Sequence, residues 1–339
     1  MNSLPICTQV FHPDNKRYYW DYRILNGRHR RDLEMKLKNI PVRLFHSHYL
    51  TDATFFRPLT KNYNVPKICS GYGYDVSSFP KRLGVFAHLF FKNIFSEYTY
   101  FLAMSEDMKS DIIALGCPPG KVIVHYHGID TAFFDVNRTL RQPNGEFNIL
   151  TIGRMAERKG HIISLRAIQA LKYLLPDVKV KYTIVGDGPL KNSLLSFVES
   201  NGLSGTVKFC ERVPHGQAFL NYLRDAHVFL HPSNITVSGG KEGIPGTIVE
   251  AMASGLPVVS TVHAGIPEVI HHDKSGFLVR EKDYVGIARY LKLLYENTEL
   301  ALDIGCRAKE YARRNLDFRQ RAIELQAIYR SAIADHNVN

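Results

Sequence analysis

Five cysteines in 339 residues, at positions 7, 69, 117, 210 and 306, are too scattered to suggest a disulfide framework. No C-x-x-C pair exists to hold zinc. No apolar run reaches the roughly 18 residues that span a bilayer. The best stretch, Val85 to Phe95, is interrupted by His88, Lys92 and Asn93. Met1 to Lys16 lacks the charged, apolar and small-residue regions of a signal peptide, so a cytoplasmic chain is expected. G-x-S-x-G is absent, and so is G-x-x-x-x-G-K-[ST], which argues against a nucleophile-elbow hydrolase and a P-loop NTPase. There is no D-x-D pair, so no metal-bridged diphosphate is expected. Internal repeats and low-complexity segments are also missing, which removes solenoids and disorder.

Acidic residues are in deficit, 32 against 43 lysines and arginines, for a net charge of +11. The deficit concentrates between Lys16 and Arg43. Nine basic residues there (Lys16, Arg17, Arg23, Arg28, Arg30, Arg31, Lys36, Lys38, Arg43) face only Asp21, Asp32 and Glu34. Tyr18, Tyr19, Trp20 and Tyr22 lie among them. Basic and aromatic together suit an anionic membrane interface. They also suit a solvated helix face or single-stranded nucleic acid, but no RNA-binding motif accompanies them. Peripheral attachment to the cytoplasmic face is the expectation, with no nucleic acid.

What is present is a strand–helix alternation. In the second half, strands are expected at 147–152, 178–184, 207–213, 227–231, 257–261 and 276–279. Helices are expected at 160–175, 190–201, 215–225, 245–254, 283–297 and through most of 299–335. Short connections between them imply a parallel sheet with helices on both faces. The first half is weaker, with strands expected at 41–48, 67–70, 101–104 and 122–126. A helix over 106–115 has Ser105 as its N-cap and Gly116 as its stop. The expected division is an N-terminal α/β domain over 1–140, a linker at 141–146, a second domain over 147–315, and a final helix in 316–339.

The most informative segment runs from Gly239 to Glu250, a glycine-rich loop entering a helix with Pro245 in its first turn. The free amides of Gly246, Thr247 and Ile248 would face outward at the positive end of the helix dipole, a site suited to a diphosphate. Gly243 and Gly246 let a ligand approach the backbone closely. Glu242 precedes the helix and Glu250 lies more than a turn inside it. The two carboxylates therefore hold different parts of one long ligand rather than share a proton. A capped helix with a solvated Glu242 is the plainer alternative. A second segment, Gly153-Arg154-Met155-Ala156-Glu157-Arg158-Lys159-Gly160, follows a strand and places Arg154 and Lys159 at the ligand edge of a parallel sheet. A forked guanidinium and a point-charge ammonium match a diphosphate. His46-x-His48 points two imidazoles to one face of a strand. A third metal ligand is lacking, so a structural or substrate-facing role is expected.

These segments resemble the GT4 family of retaining glycosyltransferases, which have the GT-B fold. Glu242-x7-Glu250 leads into Ala251-Met252-Ala253-Ser254-Gly255-Leu256-Pro257-Val258-Val259, and Ala264-Gly265-Ile266-Pro267-Glu268 follows. Gly153-Arg154 with Lys159-Gly160, and Val185-Gly186-Asp187-Gly188-Pro189, fit the same family in order and spacing. Ser105-Glu106-Asp107-Met108, Leu115-Gly116-Cys117-Pro118 and His127-Gly128-Ile129-Asp130 resemble its approach to the interdomain linker. The likeness spans roughly residues 65–315. In wording it is closest to bacterial exopolysaccharide, capsule and colanic-acid-type transferases.

The resemblance implies two Rossmann-like, doubly wound parallel-sheet domains facing across a cleft, the last helix crossing back to the first domain. Arg154 and Lys159 would bind the diphosphate of a nucleotide sugar. Glu242 would meet the donor sugar near its reacting face. Gly243, Ile244, Pro245, Gly246 and Thr247 would line the sugar and phosphates, and Glu250 would bond the ribose hydroxyls. Transfer would retain configuration without metal or other cofactor, onto a lipid-linked or polysaccharide acceptor. Two departures stand out. The strand–glycine loop–helix unit that normally opens the family is missing from 1–38, so the first domain is expected to be incomplete and the chain truncated or diverged. Where many members carry His-Gly-x-Asp, this chain has Tyr72-Gly73-Tyr74-Asp75, which makes Tyr72 and Asp75 candidate substrate-binding residues. A donor-binding but inactive partner subunit, or an epimerase of the same fold, are the rival expectations. The motifs around Arg154, Lys159 and Glu242 argue against the epimerase.

Overall fold

The computed structural model describes residues 40–136 and 146–338, together with Met35, Leu37 and Lys38. Most of the basic and aromatic stretch, Lys16 to Glu34 with Lys36, lies outside the described residues, as do Cys7 and linker positions 141–145. The four described cysteines are free. Among the described residues no helix is long and apolar enough to cross a membrane.

The first domain is a four-stranded parallel sheet in the order β1-β2-β3-β4: Phe45–His48, Lys67–Ser70, Tyr100–Ala103 and Val122–Val124. Its helices are α1 (Leu50–Thr60), α2 (Ser78–Leu83), α3 (Ala87–Glu97) and α4 (Glu106–Ala114). Ser105 caps α4 by accepting from the Met108 amide at 3.0 Å. Cys69, Phe101 and Val122 pack one face of the sheet against Phe91, Phe95 and Ile112 from the helices.

The second domain is a six-stranded parallel sheet in the order β10-β9-β8-β5-β6-β7. The strands are β5 (Glu146–Ile152), β6 (Lys179–Val185), β7 (Val207–Cys210), β8 (Val228–His231), β9 (Val258–Thr261) and β10 (Phe277–Val279). Between them run α5 (His161–Leu174), α6 (Lys191–Ser200), α7 (Gln217–Asp225), α8 (Gly246–Ala253), α9 (Ile266–Val269) and α10 (Tyr284–Glu296), and α11 (Thr298–Asn315) follows. Along β5, Phe147 and Ile149 enter one core while Leu150 and Ile152 enter the other. Burial on both faces is why this strand reads as an unbroken apolar run. Glu146, expected in the linker, is the first residue of β5 and pairs with Lys179 and Lys181 of β6. Strand order reverses between β5 and β8, and such a switch point opens a crevice at the carboxyl ends of the strands.

The helix expected through 299–335 is two helices, α11 and α12 (Phe318–Val338). The break follows from a crossing of two chain segments. Ile129 donates to the Leu316 carbonyl, and Phe318 donates back to the Ile129 carbonyl, both at 2.9 Å. Thr131 Oγ1 donates to Asp317 at 2.6 Å. Beyond the break α12 lies on the first sheet, with Leu325, Ile328 and Ala332 against Ile68, Leu102 and Ile123.

His46 locks that helix down. Its Nδ1 bonds Tyr329 Oη at 2.6 Å and its Nε2 bonds Ser70 Oγ at 2.8 Å. Burial, with His48 and His125 adding, pulls its pKa from 6.5 to about 3. Burial also takes His161 down to about 4. Both stay neutral in the fold but titrate near 6.5 once unfolded. Below pH 6.5 the unfolded chain binds protons that the folded chain does not, so stability falls as pH falls toward 4. The slope is roughly 1.4 kcal/mol per pH unit for each histidine. Melting curves between pH 7 and 5 should show the fall, and His46→Gln should flatten part of it. An unchanged slope in that variant would contradict the assignment.

Candidate functional site

Two loops meet at the switch point. The first, 153–160, leaves β5 and carries Arg154 and Lys159. At Gly160 φ is +67°, and a Cβ would lie 1.8 Å from the Pro232 carbonyl, so only glycine lets this loop close onto the end of β8. At Gly186 a Cβ would lie 2.1 Å from the Gly153 carbonyl, which explains the glycine of the Gly186-Asp187-Gly188 turn. The second loop, 232–245, joins β8 to α8. It is stitched to the first by Asn234 N donating to the Arg158 carbonyl at 3.0 Å and Val237 N donating to Glu157 Oε1 at 2.8 Å.

The stitching brings Glu242 to the lysine. Lys159 Nζ donates to Glu242 Oε2 at 3.0 Å, and Arg158 Nε pairs with the other carboxylate oxygen. The Glu242 amide donates to His263 Nε2 at 3.1 Å, and His263 Nδ1 bonds Glu281 Oε1 at 2.6 Å. Since Nε2 accepts, the His263 proton sits on Nδ1 and faces Glu281. Glu281 also accepts from Ile235 N at 3.0 Å, so one carboxylate holds both ends of the loop.

Helix α8 starts at Gly246. Pro245 is its N-cap in extended geometry, not a first-turn residue. The Ile248 amide is taken by the Pro245 carbonyl at 3.0 Å, which removes it from the expected anion site. The amides of Gly246 and Thr247 make no hydrogen bond among the described residues. Glu250 lies one turn further in and is buried, with one oxygen 3.3 Å from His215 Nε2. Burial raises its pKa and His215 opposes the shift. Thr247 Oγ1, Glu250 Oε2, Ser233 Oγ and both ring nitrogens of His231 are buried without a partner. Buried polar atoms are ordinarily satisfied, so this group of them marks a place for a polar ligand or water. Arg154 is exposed and forms no ion pair among the described residues.

The second loop also leans on the first domain. Lys241 Nζ pairs with Asp111 at 2.7 Å and Asp107 at 2.9 Å. Burial pulls Lys241 down, but its bonds to Asp111 and Asp107 outweigh this and hold it above the ordinary lysine range. Lys81 Nζ donates to the Gly239 carbonyl at 3.0 Å. A Cβ on Gly243 would lie 3.3 Å from Met108 of α4, so this glycine faces the other domain. Glu268 caps α4, accepting from the Glu106 amide at 2.9 Å and from Tyr126 Oη at 2.9 Å. Ile244 packs half-buried into the core around α8.

Tyr72 and Asp75 lie on the first-domain side. Asp75 is fully buried, with Oδ2 accepting from Leu50 N at 2.7 Å and Oδ1 from Tyr72 N at 3.0 Å. Both oxygens serve backbone amides, so Asp75 shapes the turn. Tyr72 Oη shares a 2.5 Å hydrogen bond with His48 Nδ1. His46 and His48 stack at 4.6 Å between ring centroids. Among the described residues no three His, Cys, Asp or Glu side chains gather as a metal site. Sequence reasoning missed Arg158, His263, Glu281, Lys241 and His215. Only Arg158 carried a signal, as the charge beside Lys159.

Residues 135–311 match the family described as Glycosyl transferases group 1, and residues 3–133 match Glycosyltransferase Family 4. The chain is 33% identical over 237 residues to the putative colanic acid biosynthesis glycosyltransferase WcaL of Salmonella typhimurium, covering 70% of this chain and 57% of that protein. It is 36% identical over 203 residues to the amylovoran biosynthesis glycosyltransferase AmsK of Erwinia amylovora, covering 59% of this chain and 48% of that one. It thus spans about half the length of the curated relatives it matches. Among solved structures, Anabaena HepE in complex with UDP superposes with a TM-score of 0.75 at 19% identity, over 89% of this chain and 81% of that one. Sucrose-phosphate synthase from Thermosynechococcus elongatus gives 0.76 at 17%, over 96% and 81%. The two parallel-sheet domains, the switch-point loops and these matches lead to one conclusion: the chain belongs to the group 1 glycosyl transferases, of GT4 type, and has the GT-B fold.

Proposed function

We propose that this protein transfers a sugar from a nucleotide diphosphate sugar to a lipid-linked or polysaccharide acceptor in the assembly of a cell-surface polysaccharide, with retention and without metal. The observation that carries the reading is the meeting of Lys159 and Glu242 beside the two free amides of α8. The names of the relatives, and HepE's structures with UDP and UDP-glucose, point the same way. Arg154, Lys159 and the amides of Gly246 and Thr247 would receive the diphosphate, whose charge grows as the glycosidic bond breaks. Glu242 would face the sugar that becomes oxocarbenium-like, and Glu250 would accept from ribose hydroxyls. Gly243, Ile244 and Pro245 would line the sugar. The departing phosphate is the base for the acceptor hydroxyl. The test is turnover of UDP-, GDP- and ADP-sugars in EDTA, with the anomer of the product read by proton NMR. A product of the donor's own anomeric configuration supports the reading. An inverted product, or an epimerised free sugar, overturns it. Nucleotide binding without any turnover would favour the inactive-partner alternative.

We extend the reading to work at an anionic membrane surface. Val85, Phe86 and Leu89 are adjacent on the first domain and 90%, 66% and 65% exposed. Arg82 and Lys92 flank them, and no acidic residue occurs from Val76 to Ser96. An apolar patch with a basic rim fits the headgroup boundary of anionic lipid. The chain should therefore float with phosphatidylglycerol vesicles, less so in high salt. Val85→Asp, Phe86→Asp and Leu89→Asp together should release it without lowering the melting temperature. Unchanged flotation of the triple variant would contradict this surface.

A further inference from the structure

Across the cleft from Glu242, the carboxyl ends of β1 and β2 present a second, differently built surface. The strands are parallel, with His48 opposite Ser70, so the residues just beyond them emerge side by side. Tyr49 and Tyr72 lie 4.8 Å apart between ring centroids, and His48 lies 5.7 Å from Tyr72. His48 and Tyr49 are exposed and Tyr72 is half-buried. Tyr49 is held at φ 71°, ψ 131°, an unfavourable backbone for any residue but glycine. The buried carboxylate of Asp75 fixes both rims, since it accepts from the amide after Tyr49 and from that of Tyr72. Strain and a buried anchor together hold these aromatic rings at the carboxyl ends of β1 and β2.

The three side chains are themselves uncharged, with the Asp52 carboxylate beside His48 and Tyr49. Burial, with His127 adding, lowers the pKa of His48. Burial also raises that of Tyr72 to about 12. Flat apolar faces with polar edges suit a neutral ring bearing hydroxyls, in contrast to the cations at the diphosphate side. The surface is also near the chemistry. A Cβ on Gly73 would lie 3.6 Å from the carbonyl of Lys241, the residue before Glu242, and Lys241 N lies 3.4 Å from Ser77 Oγ of the same turn.

We propose that His48, Tyr49 and Tyr72 seat the terminal pyranose of the acceptor, its ring stacked on the two tyrosines and a hydroxyl bonded at the Tyr72–His48 edge. This rests on the transferase reading above.

The experiment is saturation-transfer-difference NMR on the full chain with the methyl pyranosides of glucose, galactose, mannose and N-acetylglucosamine. Melting with UDP, GDP and ADP runs in parallel. Tyr49→Gly is the informative variant, because glycine adopts this backbone without strain and the fold is kept. The expected result is transfer to the ring protons of at least one pyranoside in the wild type, and its loss in Tyr49→Gly. Nucleotide stabilisation should be equal in both proteins. Tyr72→Phe should keep the stacking and weaken binding roughly two- to tenfold, the worth of one hydrogen bond. Unchanged transfer in Tyr49→Gly overturns the proposal. So does a wild type that binds a nucleotide but no pyranoside. A wild type that binds neither defeats the transferase reading itself, and this inference with it.

Discussion

Glu242→Ala is expected to lower sugar transfer by roughly 10²–10³-fold, the usual effect of removing one transition-state stabiliser. Binding of the nucleoside diphosphate should hold or tighten. The reason lies in the ion pairs. Glu242 pairs with both Lys159 and Arg158 and offsets one of their two positive charges. Without it both cations face the phosphates with their full field. The two effects run in opposite directions, which separates a role in the reaction from a role in folding. Titration calorimetry with the nucleotide and initial rates with the sugar donor measure both. Loss of nucleotide binding together with rate would mean that Glu242 only organises the loop.

Lys159→Ala should remove both functions. The lysine is half-buried and its ammonium bonds Glu242 at 3.0 Å. Truncation takes a cation from the diphosphate and leaves Glu242 with Arg158 alone. Transfer is expected to fall by roughly 10²–10³-fold, and nucleotide affinity should fall with it. Lys159→Arg should not restore the rate, because a planar fork does not reproduce a point donor at this depth. A variant that binds nucleotide as tightly as the wild type would exclude Lys159 from the diphosphate.

Much of the fold was readable because β5, buried on both faces, leaves an apolar run, and β6 alternates through Val180, Tyr182 and Ile184. Ends were less readable. The strand expected from Pro41 begins at Phe45, and the strand expected to reach Val213 stops at Cys210. The break before α12 carries no proline or glycine. It is imposed by Ile129, far away in sequence, crossing at Leu316 and Phe318. The same limit applies to the site. Glycine-rich loops and their charges show locally, but the Lys159–Glu242 pair joins residues 83 positions apart. His263 and Glu281 had no signal, since their task is to hold a backbone amide brought to them by folding. Asp75 shows the same limit: a motif shows that a carboxylate is present, not that it accepts from two backbone amides.

The proposed transfer requires a diphosphate site between the loops that follow β5 and β8. Its most direct test is the melting temperature of the full chain with UDP, GDP and ADP, in EDTA, beside Arg154→Ala. A ligand that binds only the folded state stabilises it by mass action. Arg154 forms no ion pair among the described residues, so its removal should leave the unliganded melting temperature unchanged. The prediction is that at least one nucleotide raises the melting temperature without metal and that Arg154→Ala abolishes the rise. No rise with any of the three, or an equal rise in the variant, would contradict it.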